Sequence, residues 1–360
     1  MIVSSVLSRT PHGGTGPPFP YGGLVNAFAA ATGIGSWPGT APRRAAAVIV
    51  GELDQLPYLP ELPARGVGAD MIGRAGALLV DIAIDTVPRG YRIAARPGAI
   101  TRRATSLLGE DIDALEEAWE KSGGARPGRA VKVQAVGPIT LAAELELSNG
   151  HRAITDGGAL RDLSASLAEG VAVHRAEIGR RLSAPVAVQF DEPLLPAALA
   201  GRISGVTALT PVHPVDEALA MTLYDDVVAA VGAEVMLHCC APDIPWTMLQ
   251  RSTIHAVSVD IATLGAGGLD GLGEFLDAGR AAVLGLLPCS APETRPSAEE
   301  VARAAAAVTD RIGFPRSVLG TRIGISPTCG LAGATDAWAR VATGLAQRAA
   351  TAIADDPGAV

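Results

Sequence analysis

From about residue 31 to residue 354 the sequence keeps one rhythm. A short apolar stretch ends in Pro or Gly, and a longer Ala-rich stretch with scattered charge follows. Strands that alternate with helices form βα units, because parallel neighbours need a long crossover between them. We predict strands at Thr32–Trp37, Leu79–Ile84, Val131–Val136, Val186–Phe190, Val235–His238, Val257–Ile261, Ala282–Leu287 and Arg322–Ser326. Eight such units suffice to close a (β/α)8 TIM barrel, the α/β fold we predict here. Helices are predicted at Asp111–Lys121, Ala159–Leu182, Ala218–Val231, Ala298–Ile312 and Ala334–Ala354. The first carries its acids early and its lysine late, as the helix dipole favours. Two stretches break the rhythm. Pro57–Asp70, rich in Pro and Gly, is predicted as a long loop over one mouth of the barrel. Gly201–Asp216 is predicted to hold an extra strand, Val206–Leu209. No linker is visible, so residues 23–355 are expected to be one domain behind a disordered leader at residues 1–22.

A chain of 360 residues with 48% hydrophobic content can bury a large core. Lys and Arg number 29 against 37 Asp and Glu, a net charge of −8, and no basic cluster stands out. Nucleic acid is therefore not an expected partner. No apolar run reaches the roughly 18 residues of a membrane span, and the start lacks a signal-peptide pattern. The four cysteines form no spaced ladder and no disulfide framework. A reducing, cytoplasmic setting is expected.

Active sites of such barrels lie at the C-terminal ends of the strands, and the unusual residues of this chain collect there. The strand from Glu234 runs into His238, Cys239 and Cys240 and is stopped by Pro242. Side chains alternate faces along a strand, so His238 and Cys240 point one way and Cys239 the other. An imidazole beside a thiolate is half of a tetrahedral zinc site. A buried histidine beside two small hydrophobic cysteines fits the same pattern. The same alternation turns Gln189 and Asp191 inward on the fourth predicted strand, and Ser258 and Asp260 inward on the sixth. Polar groups there are costly unless they are paired or bind something. For Asp191 and Asp260 the plainer alternative is pairing with backbone N–H groups or an arginine.

The strand ends Ile34-Gly35-Ser36, Gly137-Pro138-Ile139-Thr140, Gln189-Phe190-Asp191-Glu192-Pro193, His238-x-Cys240 and Pro327-Thr328-Cys329-Gly330-Leu331 stand in one order. Together they resemble the catalytic C-terminal domain of cobalamin-independent methionine synthase, from about Ala31 to Ala350. The resemblance implies a barrel of the uroporphyrinogen-decarboxylase-like superfamily and a bound Zn²⁺. His238, Cys240 and Cys329 are the implied ligands. Asp260 is the nearest match to the family's fourth ligand, a glutamate, and is one methylene shorter. Ile34, Gly35 and Ser36 are implied to hold the carboxylate of an amino acid. Asp191, the implied catalytic carboxylate, and Glu61, with Asp70 as its rival, are implied to hold the amino group. The implied reaction moves a methyl group to homocysteine sulfur, from a folate or a methyl-corrinoid. Other outcomes stay open: the same chemistry on another thiol, a decarboxylase-like relative, or a non-catalytic zinc or ligand-binding barrel.

Two departures bear on the donor. Where the family carries a histidine after the seventh strand, this chain reads Leu287-Pro288-Cys289-Ser290. The family's N-terminal barrel, which helps hold a folate polyglutamate, has no counterpart here. The basic residues expected near the mouth are Arg43, Arg44 and Arg65. A methyl-corrinoid is therefore the expected donor.

Overall fold

The computed structural model describes residues 27–207 and 210–360. Its centre is a six-stranded parallel sheet in the order β3-β5-β6-β7-β8-β9. These strands are β3 (Val131–Val136), β5 (Val186–Asp191), β6 (Val235–Cys239), β7 (Ala256–Asp260), β8 (Ala281–Leu287) and β9 (Ile323–Pro327). The six predicted strands in this region agree to within a residue or so at either end. Three short strands lie apart: β1 (Ala83–Val87), β2 (Gly90–Ala94) and β4 (Leu145–Glu146) form a separate sheet, with β1 and β2 antiparallel.

The two sides of the large sheet bury different things. Outward residues, among them Val133, Val188, Phe190, Leu237, Val257 and Leu284, join one large apolar cluster. That cluster takes in Leu115, Leu163, Leu223, Phe275, Ala302 and Leu345 from the surrounding helices. Each large side chain buried this way stabilises the fold by roughly 1.5–3 kcal/mol. Inward residues at the N-terminal half, Ala187, Met236, Ala256, Ala281 and Val283, form a second, smaller cluster closed by Phe28, Ala30 and Leu56. The interior is therefore apolar below and polar above.

Helices follow the strands where the rhythm predicts them. Among the described residues, in chain order, they are α1 (Pro42–Glu52), α2 (Met71–Ala75), α3 (Ala99–Lys121), α4 (Pro138–Glu144), α5 (Gly157–Leu182), α6 (Leu195–Leu199), α7 (Glu217–Val231), α8 (Trp246–Arg251), α9 (Ala266–Asp277), α10 (Ala298–Arg311), α11 (Leu319–Arg322) and α12 (Asp336–Asp355). Four of the longer helices start on side-chain caps. Asp156, Asp216 and Thr335 accept first-turn N–H groups, and Ser297 forms a reciprocal capping box with Glu300. The predicted helix Asp111–Lys121 is only the second half of α3, which begins at Ala99. Thr101 and Thr105, poor helix formers, hid its first turns.

The expected strand order fails on one flank. Leu79–Ile84 is not a strand of the large sheet: its end enters β1 of the outer hairpin, after Asp81 turns through a left-handed φ of 59°. The segment beside β3 is instead Pro57–Glu61, taken above as loop. Tyr58 bridges Lys132, and Ser36 bridges Glu61, both in parallel sense. Ala31 bridges Ile325 of β9. Backbone bonds run accordingly: Thr32 N–H to Ile325 O at 3.0 Å, Trp37 N–H to Glu61 O at 2.8 Å, and Leu59 N–H to Lys132 O at 3.0 Å. Pro57 and Pro60 carry no N–H, so this stretch makes isolated bridges where a strand would make a ladder. Thr32–Trp37 likewise pairs only near its two ends. The predicted strand Val206–Leu209 is absent at Val206 and Thr207, which form a bend; its other two residues, and the leader at 1–22, lie outside the described residues.

Candidate metal centre and ligand cavity

The ladder sets the site. Asp191 of β5 pairs with His238 of β6, and His238 pairs with Ser258 of β7. Residues opposite one another in a parallel ladder share a face, so these three stand in one row at the C-terminal ends. Cys240 follows β6, and Cys329 lies in the turn after β9. One ligand atom from each of His238, Cys240 and Cys329 lies within 4.8 Å of the other two, and the two sulfurs are 3.3 Å apart.

His238 is 3% exposed. Its Nδ1 lies 3.2 Å from the Ser258 hydroxyl, which fixes the ring. Its Nε2 is buried and has no hydrogen-bond partner. The ring lies near enough to the Cys329 thiol to ease its deprotonation. A buried polar atom left unpaired costs roughly 1–3 kcal/mol. Here that atom and two thiols converge, and one imidazole with two thiolates is a donor set that suits zinc. The hydroxyl on the far nitrogen is the orienting partner such a ligand needs. The hydrogen bond between the two thiols lowers that of Cys240 and, with burial, pushes that of Cys329 up to about 12.

The other sequence candidates divide. Cys239 points away into the outer apolar cluster, where burial, with the nearby Glu192 charge, pushes its thiol up to about 12. Asp260 ends β7, but its Oδ1 accepts the Ala262 N–H at 2.9 Å, and it is not one of the three grouped ligand residues. Asp70 caps α2 through the Gly73 N–H at 2.9 Å and accepts from the Tyr91 hydroxyl. It is already engaged there. Glu61 lines the cavity instead.

That cavity, about 280 Å³, is lined by Ile34, Ser36, Glu61 and Asp191 together with His238, Cys240 and Cys329. A larger one of about 760 Å³ opens at the opposite strand ends, among Ala130, Val186 and Glu234. Its described lining holds neither histidine nor cysteine, so the chemistry belongs to the smaller. Two glycines let the walls meet. A Cβ on Gly330 would lie 2.0 Å from the Ser36 hydroxyl oxygen, and one on Gly35, at a φ of 148°, would lie 2.8 Å from Gln134 Cγ. The Leu331 N–H also bonds Ser36 O at 2.9 Å, locking the Cys329 turn to the first segment.

Burial raises both cavity carboxyls. Glu61 is pushed up to about 7, the Asp191 charge adding and Arg74, Gln134 and Lys132 opposing. The Asp191 carboxyl is raised too, against the pull of His238, Lys132 and Gln189. Arg74 Nε lies 3.4 Å from Glu61 and Arg74 Nη1 2.6 Å from Asp111, so a buried ion-pair chain backs the cavity. The second acid of the Asp191-Glu192 pair points away. Glu192 accepts the Ile139 and Thr140 N–H groups, both at 2.9 Å, and the Thr140 hydroxyl at 2.6 Å. It caps α4, and a Cβ on Gly137 would lie 2.2 Å from its Oε1. The Gly137-Pro138-Ile139-Thr140 motif is therefore a structural clasp.

Sequence reasoning passed over Lys132 and Gln134. They alternate with Val131, Val133 and Ala135 along β3, the same signal that marked Gln189 and Asp191 as inward.

Comparison with known proteins agrees with this geometry. A family model described as cobalamin-independent synthase, catalytic domain, matches residues 28–352. A B12-independent methionine synthase from Shewanella sp. W3-18-1, in complex with selenomethionine, superposes with a TM-score of 0.58 at 12% identity, covering 92% of this chain and 100% of that one. At that identity it speaks to fold alone. A GH113 β-mannanase from Alicyclobacillus acidocaldarius reaches a TM-score of only 0.42 at 10% identity, over 92% of this chain and 97% of its own, which is too low to carry weight. No curated protein matches the chain. With nearly the whole chain matched, and with its conspicuous strand ends gathered at one cavity, the protein belongs to the family of the cobalamin-independent methionine synthase catalytic domain.

Proposed function

We propose that this protein is a zinc-dependent S-methyltransferase that moves a methyl group to the sulfur of homocysteine, forming methionine. The observation that carries the reading is the unpaired Nε2 of His238 beside the sulfurs of Cys240 and Cys329, in a cavity that Glu61 and Asp191 also line. The family is one of methionine synthases, and the Shewanella relative is in complex with a methionine analogue. We read the scaffold as a (β/α)8 barrel whose first two staves are the irregular segments 31–36 and 58–61.

On this reading His238, Cys240 and Cys329 hold the metal, and three protein ligands are the pattern of a catalytic rather than a structural zinc. Asp260, engaged with Ala262, is left out of the ligand set. Zinc lowers the pKa of a coordinated thiol, so the acceptor sulfur is a thiolate, the nucleophilic form, at neutral pH. The chain supplies the rest. Asp191 and Glu61 accept hydrogen bonds from the substrate ammonium, and Ser36, with the backbone of Ile34 and Gly35, donates to its carboxylate. Holding both groups aims the sulfur and removes the entropy cost of finding it.

The donor follows from two observations. Of the arginines named from the sequence, Arg65 is buried against Asp111, while Arg43 and Arg44 pair with Glu117 and Asp336 at the surface, and none of the three lines the cavity. Cys289, where the family carries its histidine, has a thiol raised by burial and sits 3.2 Å from the Thr328 hydroxyl. It is a poor acid for an amine leaving group. Departing Co(I) needs no proton, so a methyl-corrinoid suits this site better than a folate polyglutamate.

Elemental analysis should find about one zinc per chain, lost in Cys240→Ser and kept in Cys239→Ala. Retained zinc in Cys240→Ser would remove the ligand assignment, and loss in Cys239→Ala would mean the strand register is wrong by one residue.

Asp191→Asn should leave zinc content unchanged while weakening homocysteine binding by about 10- to 100-fold, the range for a hydrogen bond to a charged group. Calorimetry on the zinc-loaded protein measures it, and equal affinity would take Asp191 out of the site.

Initial rates of methionine formation should be higher with methylcobalamin than with methyltetrahydrofolate triglutamate at matched concentration. The reverse order would contradict the donor assignment.

A further inference from the structure

Beneath the cavity a lysine is sealed inside the protein. Lys132 of β3 is fully buried, and its Nζ lies 5.1 Å from the centre of the Tyr58 ring. Three oxygens surround that nitrogen: Gln189 Oε1 at 2.8 Å, Gln134 Oε1 at 3.2 Å and Ile34 O at 3.3 Å. An ammonium has three N–H donors and no acceptor, so the count matches. Burial pushes Lys132 down to about 7, against the pull of Asp191 and Glu61. Three acceptors and no donor around Nζ are the environment of the charged form.

The consequence lies in the two glutamines. An amide presents either its oxygen or its NH₂ to a neighbour, and the network decides which. With both oxygens turned to Lys132, both NH₂ groups must point away from it. That of Gln189 meets Asp191 Oδ1 at 2.7 Å and Ile34 O at 2.6 Å. That of Gln134 meets Leu59 O at 2.6 Å, and this side chain lies near enough to Glu61 to lower its carboxyl. One nitrogen thus reaches Asp191 through the Gln189 amide, orients the Gln134 amide beside Glu61, and grips the backbone of the Ile34-Gly35-Ser36 segment directly.

We propose that Lys132 is a positioning residue for the amino-group end of the ligand: its ammonium orients the amides of Gln134 and Gln189, and these hold Glu61 and Asp191 as a paired acceptor. The inference deepens the homocysteine reading and rests on it. Without the lysine either amide is free to turn its oxygen toward a carboxylate, and the fixed pair is lost. The effect falls on recognition of the ligand ammonium and spares the metal.

The test compares homocysteine with 4-mercaptobutanoate, which keeps the thiol and carboxylate and lacks the amino group. Binding of each to zinc-loaded wild type and Lys132→Met is measured by calorimetry, with zinc content and melting temperature alongside. Wild type should prefer homocysteine. In Lys132→Met that preference should fall by about tenfold or more, beyond any loss the two ligands share through the Ile34 segment, with zinc content little changed. An equal loss for both ligands, leaving their ratio intact, would overturn the proposal and leave the homocysteine reading standing. Wild type that shows no preference for homocysteine would overturn that reading, and this proposal with it. Should Lys132→Met not fold, Gln189→Leu carries the same test, since it keeps the lysine and removes the relay to Asp191 together with the amide's bond to Ile34 O. An unchanged ligand ratio there overturns the proposal equally.

Discussion

The register across β5, β6 and β7 is the constraint on which the site depends. Side chains alternate with a period of two, so a slip of one residue sends every inward group outward. In the register that forms, Asp191, His238 and Ser258 share a row and Cys240 follows on their side. Shifted by one, β6 would offer Cys239 to the cavity and bury His238 against the helices. The apolar partners prevent that. Val235, Leu237 and Cys239 belong to the outer cluster, and Met236 belongs to the inner one. The same hydrophobic pattern that drives folding aims the candidate ligands.

The cavity is built by glycines and carboxylates with distinct tasks. Gly330 lets the Cys329 turn, and Gly35 lets Gln134 of β3, approach the first segment to the distance at which a side chain would collide. Of two adjacent acids, Asp191 faces the cavity, while Glu192 ties β5 to α4. Beneath them Lys132, Gln134 and Gln189 form a closed set of buried hydrogen bonds. A buried polar network stabilises only when its members are satisfied, and it then specifies one arrangement. This one stands between the apolar plug and the cavity, where a unique arrangement matters most.

Much of this was legible in the sequence, for identifiable reasons. Six strands of the large sheet are apolar runs with turn residues at their ends, and period-two alternation inside them separated His238 and Cys240 from Cys239. The first flank was not legible. Pro57 and Pro60 marked a loop by every local rule, yet their neighbours still bond both adjacent segments. Leu79–Ile84 looked like a buried strand because an outer hairpin packed on the core carries the same apolar signal. Asp260 shares the inward parity of Ser258, but parity does not say how far along the strand a side chain sits, and one oxygen of this carboxylate caps the turn after β7. Lys132 was passed over because a lysine in a strand ordinarily means a solvated edge. Only the three oxygens around its nitrogen, contributed by Ile34, Gln134 and Gln189, reveal its place.

The central claim is that one imidazole and two thiolates hold a zinc that accepts the substrate sulfur. X-ray absorption at the zinc edge, recorded before and after adding homocysteine, addresses it without relying on turnover. The account predicts one nitrogen and two sulfurs from the chain, at roughly 2.0–2.1 and 2.3 Å, and a third sulfur when homocysteine is present. A sulfur count that does not change on adding saturating homocysteine would contradict it.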